Sequence, residues 1–294
     1  MRCACIDIGS NTTRLLVADV VARGGADLRL VPVVERRAFT QLGRACRADA
    51  ALPAAAREAL ARVVAEQARE ARSLGARRLR VVATAALRRA ADGLATCHAL
   101  ADAAGAPVEL LNEHEEARLA FAGATCMLQG TGHDAAVAVA DVGGGSAQLV
   151  AGTCAGGPSW SVSLPLGSGD LAAAYLHGDP PSAVDLSALR GAVAAALAGV
   201  APPPVAIRLA VGGSATSLRR LAGPRLDAIG LERALATLIA APAAVAAERF
   251  GIAPERARLL PAGIVVLEAL ARRLGPLEIA RGGLREGVLR ELAA

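Results

Sequence analysis

Cys5-Ile6-Asp7-Ile8-Gly9-Ser10-Asn11 and, about 134 positions further along, Ala140-Asp141-Val142-Gly143-Gly144-Gly145-Ser146 are two versions of one pattern. Each is an apolar strand that ends in an aspartate, followed by a turn of small residues and then a second strand. One such turn is a common hairpin. Two of them, each at the head of one half of the chain, predict two lobes of related α/β fold facing each other.

Outward from the first turn, residues 3–8, 14–21 and 28–36 read as an opening β-meander. Helical spacing follows over 54–74, then a strand at 79–83, a helix over 90–104, a strand at 108–111 and a helix from 113 to 128. Strands that give way to alternating helices argue for an α/β lobe. Gly130-Thr131-Gly132 breaks the pattern, which then restarts. Strands are expected at 135–141, 147–151 and 159–164, helices at 168–176 and 184–199, and a strand at 206–211 after the stiff Pro202-Pro203-Pro204 connector. The remainder reads as mostly helical, with breaks at Pro242, Pro254, Pro261 and Pro276. The predicted division is 1–128 and 129–294.

Hydrophobic residues make up 54% of the 294, enough for real cores. All 32 cationic side chains are arginine, which excludes a Walker-type P-loop and a lysine Schiff base. The net charge of +5 suits an acidic ligand. With one Trp, one Tyr and three Phe there is little to stack bases on, so nucleic-acid binding is disfavoured. Cys3, Cys5, Cys46, Cys97, Cys126 and Cys154 have no paired zinc-ligand spacing and read as small core residues. No charged and then apolar leader opens the chain and no apolar run of about 18 residues suggests a membrane span, so a cytoplasmic location is expected.

A Gly/Ser hairpin after a strand offers backbone N–H groups that no side chain blocks, a way to cradle phosphate oxygens without lysine. Gly9, Ser10, Asn11, Thr12 and Thr13 supply donors at the first turn, and Gly143, Gly144, Gly145 and Ser146 at the second. Asp7 or Asp141, at the strand end, is placed to hold a hydrated divalent cation. A third loop, Val211-Gly212-Gly213-Ser214-Ala215-Thr216, opens a helix whose N-terminus favours an anion, though a tight turn explains it equally. Arg88 is either a phosphate clamp or a solvated surface cation. Glu113, Glu115 and Glu116 either balance a helix dipole or turn one carboxylate inward to orient water. His98, His114, His133 and His177 are scattered.

In order along the chain, these segments resemble the motifs of the exopolyphosphatase and guanosine pentaphosphate phosphatase family. Cys5–Val17 resembles its first phosphate loop, Val82–Ala90 its arginine-bearing segment, Glu115–Gly123 its catalytic-glutamate helix and Asp141–Ser146 its second phosphate loop. Ser163–Gly167, Gly212–Thr216, Pro261–Ile264 and Gly282–Leu289 fit as well. The resemblance implies two ribonuclease-H-like lobes of the actin, sugar-kinase and heat-shock ATPase superfamily with an interlobe cleft. It implies Mg²⁺- or Mn²⁺-assisted release of terminal phosphate from polyphosphate or guanosine pentaphosphate by a homodimer. Carried over, Glu116 is the water-activating base, Arg88 a phosphate clamp and Asp141 a metal or water anchor beside Asp7. Gly213 and Ser214 join the two loops in gripping phosphate. The helical extensions of longer members are missing, which favours short chains.

One position departs. The family carries Ser-Thr-Glu after the second loop, and this chain reads Ser146-Ala147-Gln148. Gln148 keeps the shape and a carbonyl oxygen at the metal position but loses the charge, so metal affinity or turnover should fall. That leaves a non-catalytic regulator binding polyphosphate or guanosine penta- or tetraphosphate as the alternative. A sugar kinase is the third reading, and the Glu115-Glu116-Ala117-Arg118 helix argues against it.

Overall fold

A computed structural model describes residues 1–24, 27–46, 49–126, 128 and 135–293. The Gly130-Thr131-Gly132 breaker and His133 lie outside the described residues. The chain forms two compact units, Met1–Gln129 with Gly282–Ala294, and Gly130–Arg281.

In the first unit β1 (Arg2–Ile8), β2 (Thr13–Gly24) and β3 (Asp27–Ala38) form the expected meander. After α1 (Leu42–Ala45) and α2 (Ala54–Ser73), β4 (Arg78–Ala83) runs parallel to β1. Then come α3 (Ala85–Arg89), α4 (Gly93–Ala104), β5 (Val108–Leu110) and α5 (Glu113–Thr125), giving the sheet order β3-β2-β1-β4-β5. Pro32 is tolerated in β3 because β3 is an edge strand and a bulge interrupts its pairing beside Pro32.

Period-two alternation decides what each sheet face carries. Ala4, Ile6, Ile8, Leu15 and Val17 pack with Leu60, Val64, Cys97 and Leu100 of α2 and α4. Cys3, Cys5, Leu16 and Ala18 face the other way, against Leu119 of α5 and Val288 and Leu289 from the far end of the chain. By the same alternation Asp7 and Arg14, directly opposite each other across β1 and β2, share this second face.

The second unit repeats the plan. β6 (Ala136–Val142), β7 (Ala147–Thr153) and β8 (Gly157–Leu164) form the meander, and α6 (Ser168–Tyr175) and α7 (Ala183–Leu197) follow. β9 (Ile207–Val211) then pairs parallel to β6. The rest comprises α8 (Gly212–Ala222), β10 (Arg225–Leu226), α9 (Ala228–Leu238), α10 (Ala243–Phe250), α11 (Pro254–Leu274) and β11 (Leu277–Ile279). The order is β10-β11-β9-β6-β7-β8, with β11 parallel to β9 as β5 is to β4. Apart from the short β10, the two sheets share one ribonuclease-H-like topology.

The segment after β9 is mostly helical, as expected, and Leu277 and Ile279 are buried and extend the sheet. Two features differ from the sequence expectation. Pro261 does not end a helix: α11 runs through it, held by packing that buries Leu260 to Leu267 continuously. The last helix, α12 (Leu284–Ala293), belongs to the first unit rather than closing a second lobe that runs to residue 294. It crosses α5 so closely that a Cβ on Gly123 would lie 1.8 Å from the Gly283 carbonyl, and one on Gly287 2.0 Å from the Leu119 carbonyl. Arg290 donates to the Leu28 carbonyl, and Glu291 pairs with Arg80 and Arg118. Among the described residues the six cysteines are free and no single helix is long and apolar enough to cross a membrane.

Candidate active site

The two aspartate turns close in the same way. Gly9 N–H donates to the Thr12 carbonyl at 3.0 Å, and Gly143 N–H to the Ser146 carbonyl at 3.0 Å. In both, the turn carbonyls are held from behind. Gly43 N–H bonds Ser10 O and Gln41 N–H bonds Asn11 O in the first unit. In the second, Ser168 N–H and its hydroxyl bond Gly143 O, while Gly169 and Asp170 N–H bond Gly144 O. Ser10, Asn11, Thr12 and Ser146 are all buried, and the Asn11 amide nitrogen has no partner among the described residues. A buried donor left in that condition costs about 1–3 kcal/mol unless a ligand accepts from it.

Glu116 lies in the first turn of α5, whose N-cap Asn112 accepts from Glu115 N–H. Of the three acidic residues there, Glu113 is exposed, Glu115 is half-buried and Glu116 turns inward to 8% exposure. Arg88 meets it: Nη1 donates to Glu116 Oε2 at 2.9 Å and to the Leu111 carbonyl at 2.8 Å. Two influences on the Glu116 proton compete. Burial raises its pKa, the Arg88 charge and hydrogen bond lower it, and the Asp7 and Glu113 charges raise it; burial wins, pushing Glu116 up to about 7. Asp7 is raised as well, by burial against the opposing pull of Arg285 and Arg14. Arg88 is thus a half-buried partner of Glu116 and not a solvated surface cation.

The second unit is built differently around its aspartate. Asp141 lies opposite Gln148 on β7 and beside Val211 on β9. Gly212 has φ +90°, and a Cβ there would sit 2.6 Å from Asp141 Oδ1, so only glycine lets the carboxylate lie against the start of α8. Gly213 lies under the Arg256 guanidinium, with a Cβ position 2.5 Å from Nη2. The Ser214 side chain, expected at a ligand, is fully buried against Gly263 of α11. Gln148 is 2% exposed, and its Nε2 donates to Ser146 Oγ at 2.8 Å.

Sequence spacing did not disclose the Arg88–Glu116 pair, or the approach of Arg285 and Glu286 from α12 to the Asp7 neighbourhood. The Gly282–Leu289 segment was the available signal for the latter.

Two ribonuclease-H-like sheets, each with an aspartate ahead of a Gly/Ser turn, define a two-lobed protein of the phosphate-handling kind. Residues 17–294 match the model of the Ppx/GppA phosphatase family. The chain is 32% identical to exopolyphosphatase 1 of Mycobacterium leprae, with 99% of this chain and 90% of the relative covered. It is 33% identical to exopolyphosphatase 1 of Mycobacterium tuberculosis, with 99% and 88% covered. The crystal structure of the Aquifex aeolicus Ppx/GppA family member superposes with a TM-score of 0.81 at 26% identity, over 100% of this chain and 97% of that one. The chain therefore belongs to the Ppx/GppA phosphatase family and is, by class, a phosphoanhydride hydrolase.

Proposed function

We propose that the protein releases terminal phosphate from inorganic polyphosphate, with short chains favoured, and that guanosine pentaphosphate is the competing substrate. The observation that carries this is Glu116: a buried carboxylate at about 7, fixed by Arg88 and coupled in charge to Asp7 of the first loop. A general base works best when its pKa lies near the operating pH. In this reading Glu116 takes a proton from the attacking water as it adds to phosphorus. The remaining N–H groups of Arg88 and the Asn11 amide face phosphoryl oxygens, and the N–H groups of each turn are donors for phosphate. The site works in the cytoplasm, in a homodimer.

A divalent cation is part of the proposal. Among the described residues no group of three or more His, Cys, Asp or Glu could hold a metal alone. Mg²⁺ suits such a donor set, since it keeps several waters and leans on one or two carboxylates plus substrate phosphates. Asp7 in the first unit, and Asp141 with the Gln148 carbonyl oxygen in the second, are the groups to hold it or Mn²⁺. When bound it would neutralise charge on the phosphoryl oxygens.

Gln148 favours a second reading, a regulator that binds polyphosphate or guanosine penta- or tetraphosphate without turning it over. Phosphate release from tripolyphosphate, long-chain polyphosphate and guanosine pentaphosphate, at matched phosphoanhydride concentration with and without Mg²⁺, separates the readings. The enzyme reading expects Mg²⁺-dependent release, fastest on the shorter chain. Binding without release from any of the three would overturn it.

A further inference from the structure

A hydroxyl has one proton and two lone pairs, so the polarity of one neighbour decides what it can offer the next. Where the family pattern has a carboxylate, which only accepts, the adjacent serine would give it its proton. Here the neighbour is an amide that donates: Gln148 Nε2 to Ser146 Oγ at 2.8 Å, both groups buried. The Ser146 proton must therefore go elsewhere. The nearby turn carbonyls are already committed, Gly143 O to the Ser168 N–H and hydroxyl, Gly144 O to Gly169 and Asp170, and Ser146 O to Gly143. Among the described residues no acceptor takes the Ser146 proton.

We propose that Gln148 commits the Ser146 hydroxyl to donate into the second loop, so that the turn Gly143–Ser146 offers a phosphoryl oxygen N–H and O–H donors and takes it without a cation. The inference rests on the reading of this loop as a phosphate site. Its consequence is a division of labour: anchoring of the phosphate chain at Asp141–Ser146 no longer needs Mg²⁺, while hydrolysis still does. Gln148 acts through Ser146 and is a positioning residue.

The test is the dissociation constant of tripolyphosphate, measured by calorimetry in EDTA and again in Mg²⁺, for wild type, Gln148→Glu, Gln148→Met and Ser146→Ala. In EDTA the wild type binds. Gln148→Glu weakens EDTA binding at least about tenfold, since it turns the serine proton inward and adds a buried anion, and Mg²⁺ restores it. Gln148→Met, of similar volume and without hydrogen bonds, frees the hydroxyl and costs only a few-fold, which separates hydrogen bonding from charge. Ser146→Ala costs about tenfold in EDTA on the wild-type background and almost nothing on Gln148→Glu. Equal EDTA binding by wild type and Gln148→Glu, or a Ser146→Ala loss that ignores residue 148, overturns the inference and leaves the phosphate reading intact. If neither wild type nor variants bind even in Mg²⁺, the phosphate reading itself falls and the inference with it.

Discussion

Asp7 and Asp141 end equivalent strands, precede turns closed by the same hydrogen bond, and lie opposite equivalent positions on the next strand. Opposite Asp7 stands Arg14; opposite Asp141 stands Gln148. Around that one exchange the two neighbourhoods diverge. The first loop is surrounded by charge: Arg14, Arg285 and Glu286 act on Asp7, and Asp7 on Glu116. Burial, with the charges of Arg285 and Arg37 added, draws the Arg14 guanidinium down to about 10. The second loop is held by neutral groups, Ser168, Gln148 and the N–H groups of α6. A duplicated frame can thus keep its backbone geometry while one copy gathers charge around its aspartate and the other is held by neutral groups.

If the first copy alone carries the proton chemistry, Glu116→Gln produces the largest loss, about 10²–10⁴-fold in kcat with KM nearly unchanged. Steady-state kinetics on tripolyphosphate check it, and an unchanged kcat removes Glu116 from the mechanism. The pH profile follows from the same carboxylate. It must be ionised to accept a proton, so activity climbs as pH rises through about 7. Stability runs the opposite way. A folded pKa raised above the unfolded value near 4.5 makes the native state bind the extra proton, so stability is highest below about 4.5 and is lost as pH rises through about 7. Urea midpoints measured from pH 4.5 to 8 should fall less steeply for Glu116→Gln.

Arg88→Ala comes next. It should weaken polyphosphate binding by about 1.5–3 kcal/mol through loss of a charge-assisted contact. It also removes what holds the Glu116 pKa down, so the acid limb of the pH–rate profile should move above 7. Tighter or equal binding, with the limb unmoved, would make the pair purely structural.

The smallest effect is expected in the second copy. Gln148→Glu restores a carboxylate at nearly the same volume, and phosphate release should rise a few-fold with half-maximal rate at lower Mg²⁺. A Mg²⁺ titration identical to wild type would refute the account of this position, and loss of activity would show that the amide is adapted to substrate.

Much of this frame could be read from residues alone. The strands announce themselves by period two, and the two aspartates with their small-residue turns repeat visibly. The family resemblance is borne out over nearly the whole chain. What escaped reading depends on contacts between distant segments. Arg88 and Glu116 are 28 positions apart, and only the placement of α3 beside α5 makes them a pair. Ser214 looks like a loop donor from its Gly-Gly-Ser setting, yet a glycine on α11 makes room for it inside the protein. Pro261 reads as a breaker because local propensity knows nothing of the burial that sustains α11. Nor does chain order reveal that Leu284–Ala293 turns back to the opening sheet.

That return has a consequence for biosynthesis. The face of the first sheet carrying Cys3, Cys5, Leu16 and Ala18 is completed by Val288 and Leu289, which are translated after every residue of Gly130–Arg281. Domains otherwise mature on the ribosome from the N-terminus onward. Here the opening strands can pack one face on α2 and α4 early, while the other face stays a greasy surface until the last helix follows.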